Sequence, residues 1–188
     1  EPTEQTEIHY EQTLGNFNSQ STGVAIGGAL IEGSLLGRLS VHKHQSDGYM
    51  ENTNLNLKDT QNQDEVNATA QLRWFANDKV TFDLKAKHFD KDNGYDAFNF
   101  DSDYTTQSDE PGKDTLLSDA YSLKATIDIN PKIRMESILT KTHTDIEYSY
   151  DEDWSYVGYN PDEYSSFDQY LRSRNDRSME VRFLSSDQ

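Results

Sequence analysis

The sequence predicts an all-β chain, an antiparallel sheet with strands running up and down, and three observations carry that expectation. Apolar and polar residues alternate over stretches of roughly 8 to 11 residues. The connections between those stretches are alternately very short and very long, and the long ones hold most of the Asp, Tyr and Asn. A sheet that is tightly turned at one end and expansively looped at the other is the pattern of a transmembrane β-barrel. Strands of about 9 to 11 residues cross a bilayer when tilted.

Eight segments read as strands. Residues 7–14 come first, followed by 23–30 and 35–43 on either side of Glu32-Gly33-Ser34. In the third segment Leu35, Gly37, Leu39 and Val41 alternate with Leu36, Arg38, Ser40 and His42. Residues 66–74 alternate cleanly: Val66, Ala68, Ala70, Leu72 and Trp74 against Asn67, Thr69, Gln71 and Arg73. Across Asn77-Asp78-Lys79, residues 80–87 repeat the pattern, which makes a hairpin. A second hairpin joins 121–129 to 133–147 through Asn130-Pro131-Lys132, where the missing proline N–H costs no ladder bond. In its second strand Ile138 falls on the face opposite Met135 and Leu139, which leaves the orientation open. Residues 178–184 close the series. The long connections are 45–62, 91–117 and 149–176.

Composition narrows the classes. The 188 residues amount to about one domain. Their mean hydropathy of -0.93 and hydrophobic content of 33% are low for a buried core. An aromatic content of 11% argues against disorder. The net charge of -17 argues against nucleic acid as a partner and points toward cations or cationic complexes. There is no cysteine, hence no thiolate metal site or disulfide framework. An alternating sheet also fits a soluble secreted β-sandwich that binds carbohydrate through its Tyr-, Trp- and Asp-rich loops. Charged residues at mid-strand, such as Asp83, Lys85, Lys87, Arg73 and Lys124, favour a water-filled interior instead.

Candidate sites are few. Asp90-Lys91-Asp92-Asn93-Gly94 fails the calcium-loop template, because Gly94 stands where a ligand is required. His42 and His44 share a face, but two ligands make no metal site. Asn67-Ala68-Thr69 is a glycosylation triplet in mid-strand, where chance accounts for it. No nucleophile elbow, phosphate loop or convincing carboxylate pair appears, so no catalytic residue, metal or cofactor is expected and the chain reads as non-enzymatic. Aromatic residues crowd with carboxylates in the second and third long connections. Tyr95, Asp96, Trp154, Tyr156 and Tyr159 are the expected ligand contacts.

Particular strings carry a resemblance. Leu14-Gly15-Asn16-Phe17-Asn18, the Gly23-Val24-Ala25-Ile26-Gly27-Gly28 run and Asp47-Gly48-Tyr49 resemble the first barrel hairpins of TonB-dependent outer-membrane receptors. So do Leu72-Arg73-Trp74, Asp92-Asn93-Gly94-Tyr95-Asp96-Ala97-Phe98, Ser108-Asp109-Glu110-Pro111-Gly112 and Glu180-Val181-Arg182-Phe183. The resemblance implies a siderophore-receptor-like importer in the bacterial outer membrane. Its partners would be membrane lipid, a small-molecule nutrient or metal chelate, and the TonB energy-coupling complex. Ferric siderophores are the commonest cargo of such receptors. The negative charge sits uneasily with an anionic ferric chelate and keeps a cationic chelate, a cobalamin-like compound or a sugar open. The plug, the coupling box and most strands of that family are absent, so residues 1–188 are expected to be a partial barrel beginning just after the plug.

Overall fold

In the computed structural model, which describes residues 1–185, eight strands form one antiparallel sheet. They are β1 (Glu7–Leu14), β2 (Gln20–Ile31), β3 (Leu35–Ser46), β5 (Gln63–Asn77), β6 (Val80–Tyr95), β8 (Gly112–Asn130), β9 (Ile133–Asp151) and β10 (Phe167–Ser185). Each pairs with the next in chain order, giving an up-and-down meander with β1 and β10 at its edges. Two short strands in the loops, β4 (Glu51–Asn52) and β7 (Thr105–Thr106), pair in parallel. Residues 186–188, where the sequence leaves the last strand pattern, lie outside the described residues.

The short turns sit together at one end. In two of them an Asn side chain closes the corner: Asn77 Oδ1 accepts from the Lys79 N–H and Asn130 Oδ1 from the Lys132 N–H, each at 2.9 Å. The third uses Gly33 in the left-handed region, φ 65°. At the opposite end lie the long connections, called here L2 (47–62), L3 (96–111) and L4 (152–166). One connection at that end, residues 15–19, is itself a tight turn, closed by the Gly15 N–H donating to the Ser19 carbonyl at 2.8 Å.

The strands are longer than the alternation indicates, and two expected loops shrink accordingly. Residues 91–95 and 112–117 belong to β6 and β8, and residues 167–176 to β10. β8, β9 and β10 each run for 19 residues, about 60 Å at about 3.3 Å per residue.

Register assigns every strand residue to one of two faces. The apolar face carries Leu72, Leu84, Leu123, Leu139 and Met179 in a single cross-strand row. Arg73, Asp83, Lys124 and Ile138 occupy a row of the other, polar face, which settles the orientation of β9. No second sheet covers the apolar side chains: Leu72 is 37% exposed, Leu84 44% and Met179 70%. The sandwich alternative, which requires them shut between two layers, is therefore not the fold. Among the described residues, only Ala25, Leu36 and Met50 are buried hydrophobics.

The edge of the apolar face descends across the sheet. It ends at Val66 or Ala68 on β5 but at Met179 on β10, whereas the register partners of Val66 and Ala68 on β10 are Ser173 and Asn175. The edge thus drops by four to six residues over four strand-to-strand steps. At about 3.3 Å per residue and 4.8 Å per strand, the slope is roughly 35 to 45°. A level belt around a barrel of tilted strands crosses them at that angle.

Candidate ligand site

The loop end of the sheet is held together by buried polar groups. Asn52, on β4, and Thr106, on β7, are both 0% exposed. Asn52 Nδ2 donates to Asp96 Oδ2 and to Ser108 Oγ, each at 2.9 Å. The Thr106 and Ser108 hydroxyls donate to the same carboxylate at 2.8 Å each. The Thr53 N–H adds a backbone bond to the Thr106 carbonyl. L2 and L3 are thereby locked through a carboxylate whose acceptors are filled, the condition under which a charge can stay buried. L3 meets L4 through the Asp109 N–H, which donates to the Ser155 carbonyl at 3.1 Å, and the Val157 N–H, which donates to Asp109 Oδ2 at 3.0 Å.

Aromatic rings run along this junction. Phe98 of L3 stacks on Trp154 of L4 with centroids 5.2 Å apart and planes at 14°. Phe98 also meets Tyr95 and Tyr150 edge-on, and Tyr95 meets Tyr148 at 5.0 Å. Farther out, Phe100 stacks on Tyr159, which touches Tyr156. Trp154 sits in the left-handed region, φ 60°, unusual for a bulky residue. Asp151 holds it there: its Oδ1 accepts from the N–H groups of Asp153 and Trp154 at 3.1 and 3.0 Å.

Between these rings and the polar face of β9 and β10 lies an open cavity of about 590 Å³, lined by Phe98, Tyr148, Tyr150, Trp154, Tyr170 and Arg172, with Ile146 and Glu152. Tyr148 and Tyr150 reach it because residues two apart on a strand share a face. The Tyr150 hydroxyl donates to Asp168 at 3.0 Å, and that bond, with burial, pushes its pKa up to about 12. Burial raises Tyr148 as well. Both phenols are therefore neutral donors at physiological pH. Arg172 has no hydrogen-bond or ion-pair partner among the described residues. The cavity thus offers flat aromatic faces and one guanidinium without a partner among the described residues.

The expected contacts divide. Tyr95 and Trp154 belong to the aromatic wall, Trp154 lining the cavity and Tyr95 packing behind it on Phe98 and Tyr148. Tyr159 stacks on Phe100 and Tyr156 meets Tyr159 edge-on, and neither lines the cavity. Asp96 is 5% exposed, and its carboxylate is engaged in the L2–L3 lock. Phe98, Tyr148, Tyr150, Tyr170 and Arg172 line the cavity without being among the expected contacts, although Tyr148, Tyr150 and Tyr170 belong to the aromatic crowding at the third long connection. The period of two from Tyr148 to Tyr150 was the available signal.

The polar face below the cavity carries acidic and basic side chains in equal number, many paired across strands. Arg73 Nε lies 2.6 Å from Asp83 and Lys124 Nζ 2.7 Å from Glu136. Lys85 and Lys87 have no partner among the described residues. The acidic excess of the chain lies in the loops and on the upper outer rim. His44, on this face, has both ring nitrogens engaged, by Ser21 Oγ at 2.7 Å and Gln63 Oε1 at 2.9 Å. Among the described residues no group of three His, Asp or Glu is placed to hold a metal ion. Asp90 to Gly94 lie in strand β6 rather than in a loop.

No protein-family model matches the chain, and no curated relative does. Solved structures do. The chain is similar to the ferric-catecholate import receptor Fiu of Escherichia coli K12 in its open form, with a TM-score of 0.66 over 98% of this chain and 11% sequence identity. The closed form of the same receptor gives a TM-score of 0.61 over 93% of the chain, again at 11% identity. The chain spans 32% and 27% of those receptor chains. At this identity the likeness establishes the fold: an all-β, antiparallel sheet like part of the barrel of a TonB-dependent receptor.

Proposed function

We propose that this chain is part of the β-barrel of a TonB-dependent outer-membrane importer whose cargo is a ferric siderophore of the anionic catecholate type. One observation carries the reading: a continuous eight-stranded sheet leaves its aliphatic face uncovered while its other face is lined with paired charges. Water penalises that arrangement at about 25 cal/mol for each Å² of apolar surface, whereas lipid outside and water within favour it. The sloping lower belt is then the lipid-facing surface, the polar face is the wall of the lumen, and L2 to L4 are external. Coupling to TonB would belong to a plug, which this family places inside the barrel.

The balanced lumen wall meets the objection raised by the overall charge. A ferric catecholate presents aromatic rings and negative charge. The cavity answers with Trp154, Phe98 and three tyrosines, and with Arg172. Lys87 and Lys85 lie on the same face nearer the turn end. No covalent step is involved; the wall binds and passes its cargo.

Titration of the detergent-solubilised protein with a ferric tris-catecholate, followed by calorimetry, tests this. The Arg172→Gln and Trp154→Ala variants are expected to bind each about tenfold more weakly or worse, while the iron-free ligand binds poorly to all forms. Unchanged affinity in both variants would remove the cavity as the binding site. Preference for a cationic chelate or for cobalamin would overturn the assigned cargo.

A further inference from the structure

One row of the apolar face ends in unpaired positive charge. Lys141 on β9 stands directly opposite Arg177 on β10, and Tyr121 on β8 stands opposite Lys141 on its other side. Both cations are exposed. Neither has a hydrogen-bond or ion-pair partner among the described residues. Like charges directly opposed across an antiparallel pair are destabilising, so the site calls for an anion that the described chain does not supply.

The nearest acids on this face are engaged elsewhere. Asp119 lies 2.9 Å from His88 Nδ1, and Asp145 lies 3.1 Å from His143 Nε2. The other nitrogen of His143 meets Asn175 at 2.9 Å. Farther toward the loops, Asp90, Asp92 and Glu147 keep the rim anionic, so a bound anion is confined to the Lys141–Arg177 row rather than spread around the sheet.

That row is also a boundary. One step toward the turn end are Leu123, Leu139 and Met179; one step toward the loop end are Asp119, His143 and Asn175. We propose that Lys141 and Arg177 bind the phosphate of an anionic lipid headgroup in the leaflet on the loop side. The inference rests on the lipid-facing reading of the apolar belt. The guanidinium fork engages two phosphate oxygens, the ammonium neutralises the remainder, and the acyl chains lie along Leu123, Leu139 and Met179. Tyr121 occupies the place of an interfacial aromatic.

Native mass spectrometry of the detergent-purified protein, offered equal amounts of phosphatidylglycerol and phosphatidylcholine, tests the site. The wild type is expected to retain phosphatidylglycerol with a preference of about 10- to 30-fold, the effect of two surface cations. The Lys141→Gln/Arg177→Gln variant should lose it and Lys113→Gln should keep it. Equal retention by the wild type, or undiminished preference in the double variant, overturns the proposal. Displacement of the lipid by an equal concentration of inorganic phosphate overturns the lipid assignment. Incorporation of the same preparation into bilayer discs reports separately on the lipid-facing reading. Protein that stays out of the discs contradicts that reading, whereas insertion without headgroup preference contradicts only the site.

Discussion

The turn-end half of the sheet and the loop end invert one another. Toward the turns, large aliphatic residues are exposed and almost nothing is buried. Among the loops and the strand ends beneath them the buried residues, Met50 apart, are largely polar, Asn52, Thr106, Ser108, Ser149, Asp151 and Ser155 among them. The lower half has a stable meaning only against an apolar surrounding, because its side chains touch their cross-strand neighbours but no second layer of the described chain covers them. At the loop end most buried polar groups bond to one another and the rings stack, Thr60 Oγ1, Gln61 Oε1 and Asp151 Oδ2 being the buried side-chain atoms without a hydrogen-bond partner among the described residues. The difference teaches that the two ends of one strand are built for different surroundings, which on the proposed reading are lipid along its lower length and water above, and that the loops are a built surface rather than slack chain.

The sharpest way to break the comparison is to move a charge between faces. Leu84→Arg places a cation in the middle of the apolar row and is expected to cost about 2 to 4 kcal/mol, blocking membrane assembly. Ser122→Arg, on the polar face of the neighbouring strand, should assemble normally. Folding yield in lipid vesicles reads both, and equal behaviour would dissolve the distinction between faces.

At the loop end the corresponding injury is Asp96→Ala. It removes the acceptor of the buried Thr106 and Ser108 hydroxyls and one of the acceptors of Asn52, at a cost of about 2 to 3 kcal/mol. Hydrogen exchange should accelerate in residues 47–62 and 96–111 while β8 and β9 stay protected. A more local effect is expected of Gly112→Ala, because an added Cβ would collide with the backbone of Ser149 and Tyr150 and force the two strands apart there. Exchange should rise at the upper β8–β9 pairing and leave the apolar belt unaffected.

The smallest effect is on pH dependence. Asp151 Oδ2 is buried without a hydrogen-bond partner among the described residues. Burial and the neighbouring charge of Asp153 push the pKa from 3.8 to about 6. The folded loop therefore holds this proton more tightly than the unfolded chain does. The stabilisation is fully present below about pH 4 and is lost as pH rises toward 6. Protection of L4 amides, taken relative to the intrinsic exchange rate at each pH, should fall across that window in the wild type and stay level in Asp151→Asn.

How much was legible follows from the same division. Where the outer face is apolar, as in residues 66–74, 80–87 and 121–129, period-two alternation locates strands and faces together. Above the belt both faces are wet, and the signal vanishes. Residues 167–176 alternate Asp168, Arg172 and Arg174 with Gln169, Ser173 and Asn175, polar against polar, so the upper half of β10 reads as loop. The aromatic crowding of L3 and L4 was visible, but which rings line a cavity depends on register and on the L3–L4 contact. Asp96 read as a ligand contact from the aromatic and carboxylate crowding of its loop, while its partner Asn52 is 44 residues away, a pairing no local pattern announces.

The most direct test of the account exploits the absence of native cysteine. Single cysteines at Leu84, Leu123 and Leu139, in one row of the apolar face, are compared with cysteines at Lys85, Ser122 and Thr140, in one row of the polar face. Each is exposed to a membrane-impermeant maleimide after insertion into lipid vesicles. Labelling of the second set with protection of the first is the expected result. Labelling of the first set, or of both alike, would contradict a sheet that turns its aliphatic face to lipid and its charges to water.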